Sequence, residues 1–277
     1  MSDTTLPPPP APARRWTTAR IAGHGFMGFW ILLAGVIGWA IFGDWDSGFL
    51  VQYAPRYLNG LTTTLQLVGL AMLFGALLSL PITWARLSSN RLVGALAFGW
   101  VYFFRGTPLL AQTFLVYYGA GTFRAEFEAL GLWPFFRDAF FCAVFTFSLN
   151  TSAYQAEILA GSIRNVARGQ REAAAALGLS RYVTMRKIVL PQAFIVSLRP
   201  YGNEIILMIK GSAIASIVTV FDLMGETRRI FSRTFDFEAY FWAAVLYLVM
   251  VELIRRLWDR IERHLTQHLV RRTDNEA

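Results

Sequence analysis

Residues 57–85 read YLNGLTTTLQLVGLAMLFGALLSLPITWA and separate Arg56 from Arg86 without a charged side chain. A helix needs about 20 apolar residues to cross the hydrocarbon core of a bilayer, and this stretch is longer than that. The whole chain of 277 residues has a matching composition, with 55% hydrophobic and only 16% charged residues. A soluble domain carries about 25% charged residues. The composition therefore indicates an integral membrane protein and excludes a soluble enzyme, a disordered scaffold and a secreted disulfide module.

Other apolar intervals with few charges lie on both sides of this stretch. We expect each of them to form a membrane-spanning helix, which gives an all-α fold with about six transmembrane helices. The six intervals are residues 21–43, 57–85, 92–123, 139–156, 193–221 and 239–254.

The lysines and arginines are distributed unequally between the loops that join these spans. Of the 26 in the chain, 17 lie in residues 1–20, 86–91, 161–191 and beyond 254, whereas 6 lie in the opposite loops and 3 within spans. Cytoplasmic loops carry an excess of Lys and Arg. Both termini and the 161–191 loop are therefore predicted to be cytoplasmic.

The two ends of the chain are predicted to be tails. Residues 1–20 contain the run Pro7–Pro10 and are predicted to be disordered, and residues 258–277 form a second cytoplasmic tail. The span at 21–43 follows three arginines, as a signal peptide would. Its apolar run is long and lacks an evident cleavage site of small residues, which favours an uncleaved transmembrane helix.

The 161–191 loop has the sequence of two short helices. Residues 172–177 read EAAAAL, which forms helix readily, and Gly178 can take the positive φ that ends it. Ser180 can cap a second helix over residues 181–189, which Pro191 is expected to end. The loop is either a rigid hairpin that docks on a partner or an ordinary amphipathic segment at the membrane surface.

Several motifs resemble a known family. Glu172-Ala173-Ala174, Gly178 and the run ending at Pro191 are similar to the EAA loop of ATP-binding cassette importer permeases. Residues 104–109 (FRGTPL), 149–154 (LNTSAY) and 203–208 (NEIILM) resemble the polar amino acid branch, of the histidine, arginine and octopine type. The resemblance covers residues 58–263. It implies a five-helix permease core at 57–257, with the helix at 21–43 added before it.

The resemblance implies a division of labour between several chains. The permease would form the path of a polar, basic amino acid or opine across the bacterial inner membrane, paired with a second permease that is either a paralogue or an identical chain. A periplasmic binding protein would deliver the substrate. A separate ATPase would hold ATP and Mg²⁺ and receive the coupling residues of the loop, which are Glu172, Ala173, Ala174 and Gly178.

The residues of the chain itself give little support to an enzyme. No G-x-x-x-x-G-K-[ST] motif is present, and neither the three histidines nor Cys142 lie at metal-ligand spacing. We therefore expect no catalytic residue, no metal site and no cofactor in this chain. Two other readings are a secondary transporter driven by an ion gradient, which would not need a docking hairpin, and a membrane anchor or sensor.

Polar residues inside the spans are the candidates for a substrate path, because ionisable groups are costly there. Asn150, Tyr154, Glu157 and Gly161 share one helical face, which should point into the bundle. Glu157 either lines this path or pairs with Arg199 at a similar depth.

Glu204 and Arg105 are the remaining candidates. Glu204 lies near the middle of its span, where it either pairs with a cation such as Arg105 or lines the path and favours a cationic substrate. The sequence Arg105-Gly-Thr-Pro108 predicts a break in its span, with Thr107 as the cap and Pro108 as the first residue of a half-helix. Such a helix start beside an arginine suits an anionic group, whereas the simpler alternative is a kink with Arg105 bonded to backbone carbonyls.

Overall fold

The structure is a computed structural model that describes residues 17–42 and 48–270, and within these ranges it is all-α with no strand. In chain order the helices are α1 (Thr18–Phe42), α2 (Phe49–Arg86), α3 (Arg91–Gly106), α4 (Leu109–Thr122), α5 (Arg124–Ala129), α6 (Trp133–Phe136), α7 (Ala139–Asn165), α8 (Arg168–Ala176), α9 (Arg181–Thr184), α10 (Leu190–Gly211), α11 (Leu223–Thr234) and α12 (Glu238–Val270). A π turn (Met185–Val189) joins α9 to α10, and a 3₁₀ turn (Ser212–Val218) follows α10.

The chain divides into two compact units, Met1–Gly48 and Phe49–Ala277. In the first unit, α1 begins three residues before the predicted span at 21–43. The predicted disordered tail lies outside the described residues except for its last four positions. In the second unit, α12 continues through the predicted C-terminal tail as far as Val270, and residues 271–277 lie outside the described part.

Helix α7 is the centre of the second unit and packs against α2, α3, α4 and α10. The core around it contains large apolar side chains with no exposed surface, such as Phe147 on α7 itself, Leu67 on α2 and Ile209 on α10. At Gly75 a Cβ atom would overlap the methyl group of Thr151, so α2 approaches α7 as closely as it does because no side chain stands there.

The lengths of the helices agree with a membrane protein. By length and composition two described helices, α1 and α2, can cross a membrane, or up to four if each sharply bent pair of helices is one span. At 1.5 Å per residue α7 is also about 40 Å long, although its polar residues lower its hydropathy. The exact number of six spans stays a prediction.

One prediction about the 161–191 loop is wrong. The chain does not stop being helical at Pro191 but continues from α9 through the π turn into α10. The amide of Leu190 donates to the carbonyl of Met185, five residues back, in the wider pattern of a π turn. This wider turn carries the chain past Pro191, which has no N–H to donate, and a proline is tolerated in the first turn of the helix that follows.

Candidate functional site

Helices α8 and α9 form a short hairpin (residues 168–184, the α8–α9 hairpin) whose turn is built by Gly178. Its φ is +72°, as the sequence predicts. The amide of Gly178 donates to the carbonyl of Ala175, and that of Leu179 donates to the carbonyl of Ala174, both at 3.0 Å. This pair of bonds is the Schellman motif that closes a helix C-terminus. The predicted cap is also confirmed, because Ser180 accepts a bond from the amide of Val183.

The hairpin is attached to the bundle at its base and exposed at its tip. The Arg171 guanidinium donates to the carbonyl of Ile163 at 2.6 Å, and Ala174 is buried. Ala173 is exposed, and the exposed Glu172 pairs with Arg168 at 2.8 Å. The tip presents apolar surface, with Leu177 77% and Tyr182 69% exposed. A Cβ on Gly178 would meet nothing within 4 Å, so its constraint is the backbone angle alone.

A second group of polar residues surrounds the break between α3 and α4. The axes of the two helices differ by 101°, which confirms the predicted break. The predicted cap is wrong in detail: the Thr107 hydroxyl donates back to the carbonyl of Phe103 in α3, and Pro108 precedes the first residue of α4. The same carbonyl also accepts from the backbone amide of Thr107 at 3.1 Å, so the hydroxyl adds a second hydrogen bond at the end of α3.

Two amide side chains satisfy the carbonyls that the break leaves open. The Gln112 side-chain amide donates to the carbonyls of Phe104 and Thr107 at 3.0 and 3.1 Å. Asn150 on α7 donates to the same Phe104 carbonyl at 2.8 Å and to the Gln112 side-chain oxygen at 3.0 Å. An unpaired carbonyl inside a membrane costs several kcal/mol, so these two side chains stabilise the bent span.

Arg105 lies over the ring of Tyr154, with its guanidinium carbon 5.1 Å from the ring centre. In the part of the chain that the structure describes, no hydrogen bond joins Arg105 to a backbone carbonyl, so that alternative is wrong. A guanidinium over an aromatic face is held by a cation–π interaction and keeps its donors for another partner.

Glu204 is 5% exposed and lines a cavity of about 360 Å³ together with Asn150, Tyr154 and the segment 107–109 at the break before α4. Its Oε1 accepts a hydrogen bond from the Thr151 hydroxyl at 2.8 Å. Among the described residues no cation forms a salt bridge with Glu204, and the alternative of a direct pair with Arg105 is therefore not found.

Glu157 is paired, but not with the predicted partner. The Arg86 guanidinium at the end of α2 donates to both of its carboxylate oxygens, the shorter distance being 3.1 Å. Arg199 instead pairs with Glu262 on α12 at 2.7 Å, so the predicted Glu157–Arg199 pair is wrong. Arg199 was expected because it has a similar depth in the neighbouring span. The actual partner, Arg86, lies at the end of α2, which packs most closely on α7.

The predicted polar face of α7 runs along three adjacent concave surfaces. Asn150 and Tyr154 line the cavity beside Glu204, Tyr154 and Glu157 line a second of about 360 Å³, and Glu157 and Gly161 line a third of about 430 Å³. The face therefore forms a polar track from mid-bundle towards the α8–α9 hairpin.

The sequence reading missed four residues of this region: Arg86, Gln112, Thr151 and Gln155. Gln112 had a usable signal, since a buried amide four residues after Pro108 has to pair with something. Thr151 and Gln155 had the signal of polar positions between the apolar residues of α7. In the described ranges no group of three His, Cys, Asp or Glu residues could hold a metal ion.

Comparison with known proteins identifies the family. The model of the binding-protein-dependent transport system inner membrane component matches residues 71–267. The nopaline transport system permease protein of Agrobacterium fabrum is 40% identical over 233 residues, 84% of this chain and 97% of that protein. The histidine/lysine/arginine/ornithine transport system permease protein of Escherichia coli is 39% identical over 76% of this chain and 89% of that protein.

A solved structure agrees with these relatives. The crystal structure of an amino acid ABC transporter with histidines contains a chain that is 36% identical, with a TM-score of 0.72 over 80% of this chain and 99% of that one. The chain therefore belongs to the family of inner membrane components of binding-protein-dependent transport systems.

Proposed function

We propose that this chain forms the membrane path for a polar amino acid with a basic side chain, such as arginine, histidine, lysine or ornithine, or for an opine. The observation that carries the proposal is Glu204, a carboxylate at the wall of a mid-bundle cavity that is hydrogen-bonded to a hydroxyl and, among the described residues, forms no salt bridge. The names of the relatives support this class, because they include histidine, lysine, arginine and ornithine. As a member of its family, the chain is a permease subunit rather than an enzyme. It works with an ATPase, a second permease and a periplasmic binding protein.

Another part of the cavity lining suits the α-carboxylate of the same substrate. Thr107, Pro108 and Leu109 form it and lead into α4, whose first-turn amides have no partner within the helix and carry a partial positive charge. Arg105 lines the neighbouring concavity and is connected to this one through Tyr154. A zwitterionic molecule with a cationic side chain would thus meet charges of opposite sign at its two ends.

The α8–α9 hairpin is proposed to dock in a cleft of the ATPase subunit, with Glu172, Ala173, Ala174 and Gly178 as the coupling residues. Its exposed apolar tip supports this role, because an isolated loop in water gains nothing from presenting Leu177 and Tyr182. The second permease is either a paralogue or a further copy of this chain.

The orientation in the inner membrane follows from the basic residues. We place both termini and the α8–α9 hairpin in the cytoplasm, because 17 of the 26 lysines and arginines lie on that side. Reporter fusions after Arg20, Gly121, Asn165 and Arg272 test this topology. Alkaline phosphatase activity is expected only after Gly121, and activity after Asn165 or Arg272 would contradict it.

The substrate class is tested by uptake into liposomes that contain the permease pair, its ATPase and the binding protein. Arginine is expected to be taken up in preference to glutamine and glutamate. Glu204→Gln should lower arginine uptake by about tenfold or more, because losing one partner of a buried charge pair costs about 2–5 kcal/mol, while the complex still assembles. Equal uptake of glutamate and arginine would contradict the proposal.

An ion-gradient transporter is the alternative function, and family membership does not favour it. The same liposomes distinguish the two, since uptake by an importer stops without the ATPase or without ATP. Uptake that persists with an ion gradient alone would support the secondary transporter.

A further inference from the structure

A chain of three buried side chains connects α7 to α10 beside the cavity. Gln155 and Thr151 have no exposed surface, and Glu204 is 5% exposed. The Gln155 side-chain nitrogen donates to the Thr151 hydroxyl at 3.1 Å, and that hydroxyl donates to Glu204 Oε1 at 2.8 Å. We refer to these three residues as the relay.

The direction of each bond in the relay follows from chemistry. The Gln155 nitrogen also lies 3.2 Å from the backbone carbonyl of Met72, which can only accept. The nitrogen of the amide, and not its oxygen, therefore faces Met72 and Thr151. Thr151 therefore accepts from Gln155 and has a single proton left to donate.

That proton has two acceptors within reach. Thr151 Oγ1 lies 3.6 Å from the Met72 sulfur and 2.8 Å from the Glu204 carboxylate. A thioether is a weak acceptor, whereas a bond to a carboxylate is charge-assisted and about twice as strong as a neutral one. The Thr151 hydroxyl therefore donates its proton to the Glu204 carboxylate.

The packing around the relay restricts it to this arrangement. A Cβ on Gly75 would overlap the Thr151 methyl group and lie 3.0 Å from the Gln155 nitrogen. The backbone of α2 thus packs directly against both side chains, which restricts their movement. The relay is consequently a rigid support that extends from the backbone of α2 to Glu204.

We infer that Thr151 and Gln155 are positioning residues for substrate recognition, which fix Glu204 at the cavity wall with Oε1 engaged and Oε2 left for the cationic group of an amino acid. The inference rests on the proposed function, in which Glu204 meets the cation. Without the relay, the carboxylate would be free to turn on its own side chain and would no longer be preorganised for the substrate.

The test compares three variants in the complete complex in liposomes, with arginine as the probe. Thr151→Val keeps the shape of the side chain and removes the hydroxyl, and it is expected to lower arginine uptake by about tenfold, as for a lost bond to a charged group. Thr151→Ser restores the donor and should restore uptake. Thr146→Val is the matched control, since Thr146 is buried on the same helix and its hydroxyl bonds only the carbonyl of Cys142.

Thermal unfolding of the purified complex separates positioning from stability. We expect Thr151→Val and Thr146→Val to melt at similar temperatures while only the first loses uptake. Unchanged uptake in Thr151→Val, or equal losses in Thr151→Val and Thr146→Val, would overturn the inference. If Glu204→Gln lowers uptake and Thr151→Val does not, the inference alone fails. If Glu204→Gln itself has no effect, the proposed function fails.

Discussion

The α8–α9 hairpin and the cavity beside Glu204 differ in how far apart along the chain their contacts are. The hairpin is held by bonds between near neighbours, such as Leu179 to Ala174 and Val183 to Ser180. The cavity also needs bonds between residues far apart in the chain, such as Asn150 to Gln112, 38 positions apart, and Gln155 to Met72, 83 positions apart. The hairpin is thus a local structure, whereas the cavity forms only after four helices have packed.

The largest effect is expected in the hairpin, from a change to its backbone. Gly178→Val should reduce arginine uptake to background with normal amounts of protein in the membrane, because a left-handed conformation costs a residue with a Cβ about 1–2 kcal/mol and a β-branched one more. Copurification of the ATPase measures the loss directly. Gly169→Val is the control, since Gly169 lies in α8 without a positive φ. Wild-type uptake by Gly178→Val would mean that the hairpin is a passive loop.

The next largest effect is expected at the bent span. Gln112→Leu leaves the Phe104 carbonyl with Asn150 as its donor but removes the side-chain donor to the Thr107 carbonyl and the acceptor of one Asn150 bond. Each buried group left unsatisfied costs about 1–3 kcal/mol. We expect a lower melting temperature and about tenfold less uptake. Gln192→Leu serves as the control, because Gln192 bonds only the carbonyl of Ile188 within its own helical segment. If both variants melt alike, the break does not depend on Gln112.

A smaller effect is expected at the ion pair along the polar track. Arg86→Gln leaves the partly buried Glu157 without its partner, at a cost of about 2 kcal/mol, between the values for exposed and buried pairs. The melting temperature should fall, and uptake should fall severalfold. Arg124→Gln breaks the more exposed Arg124–Glu128 pair and should have much less effect. Equal effects of the two would show that the burial of Glu157 is unimportant.

The smallest effect is expected from an ion pair on the hairpin itself. Arg168 and Glu172 are bonded at 2.8 Å, but their side chains are 91% and 64% exposed, and such pairs contribute about 0–1 kcal/mol. Arg168→Ala should leave uptake and melting close to those of the wild type. Arg171→Ala should do more, because Arg171 attaches α8 to the carbonyl of Ile163. A large loss in Arg168→Ala would instead place that arginine in contact with a partner.

The same comparison explains what the sequence could predict. The positive φ of Gly178, the cap at Ser180 and the break after Arg105 depend on residues within one turn of each other, and all three are confirmed. The polar face of Asn150, Tyr154 and Glu157 followed from helical spacing alone. Helical spacing could not predict the partners of these residues, because pairing across helices depends on which helices pack together and on their relative shift along the axis.

The partner of Glu157 shows the limit clearly. Arg86 ends α2 and Arg199 lies within α10, and both helices pack on α7, so charge and depth alone do not choose between them. The packing of α2 on α7 decides it, and that packing depends on Gly75, where the absence of a side chain lets the helices meet.

The π turn after α9 has a mechanical consequence. Because the helix does not end at Pro191, a continuous helical segment that includes the π turn and Pro200 extends from Arg181 at the hairpin to Glu204 at the cavity, about 35 Å at 1.5 Å per residue. No loop interrupts the helical backbone between the two ends, so a tilt imposed at one end is expected to displace the other. One helical segment therefore joins the hairpin to the Glu204 carboxylate, and this connection limits how independently the two can move.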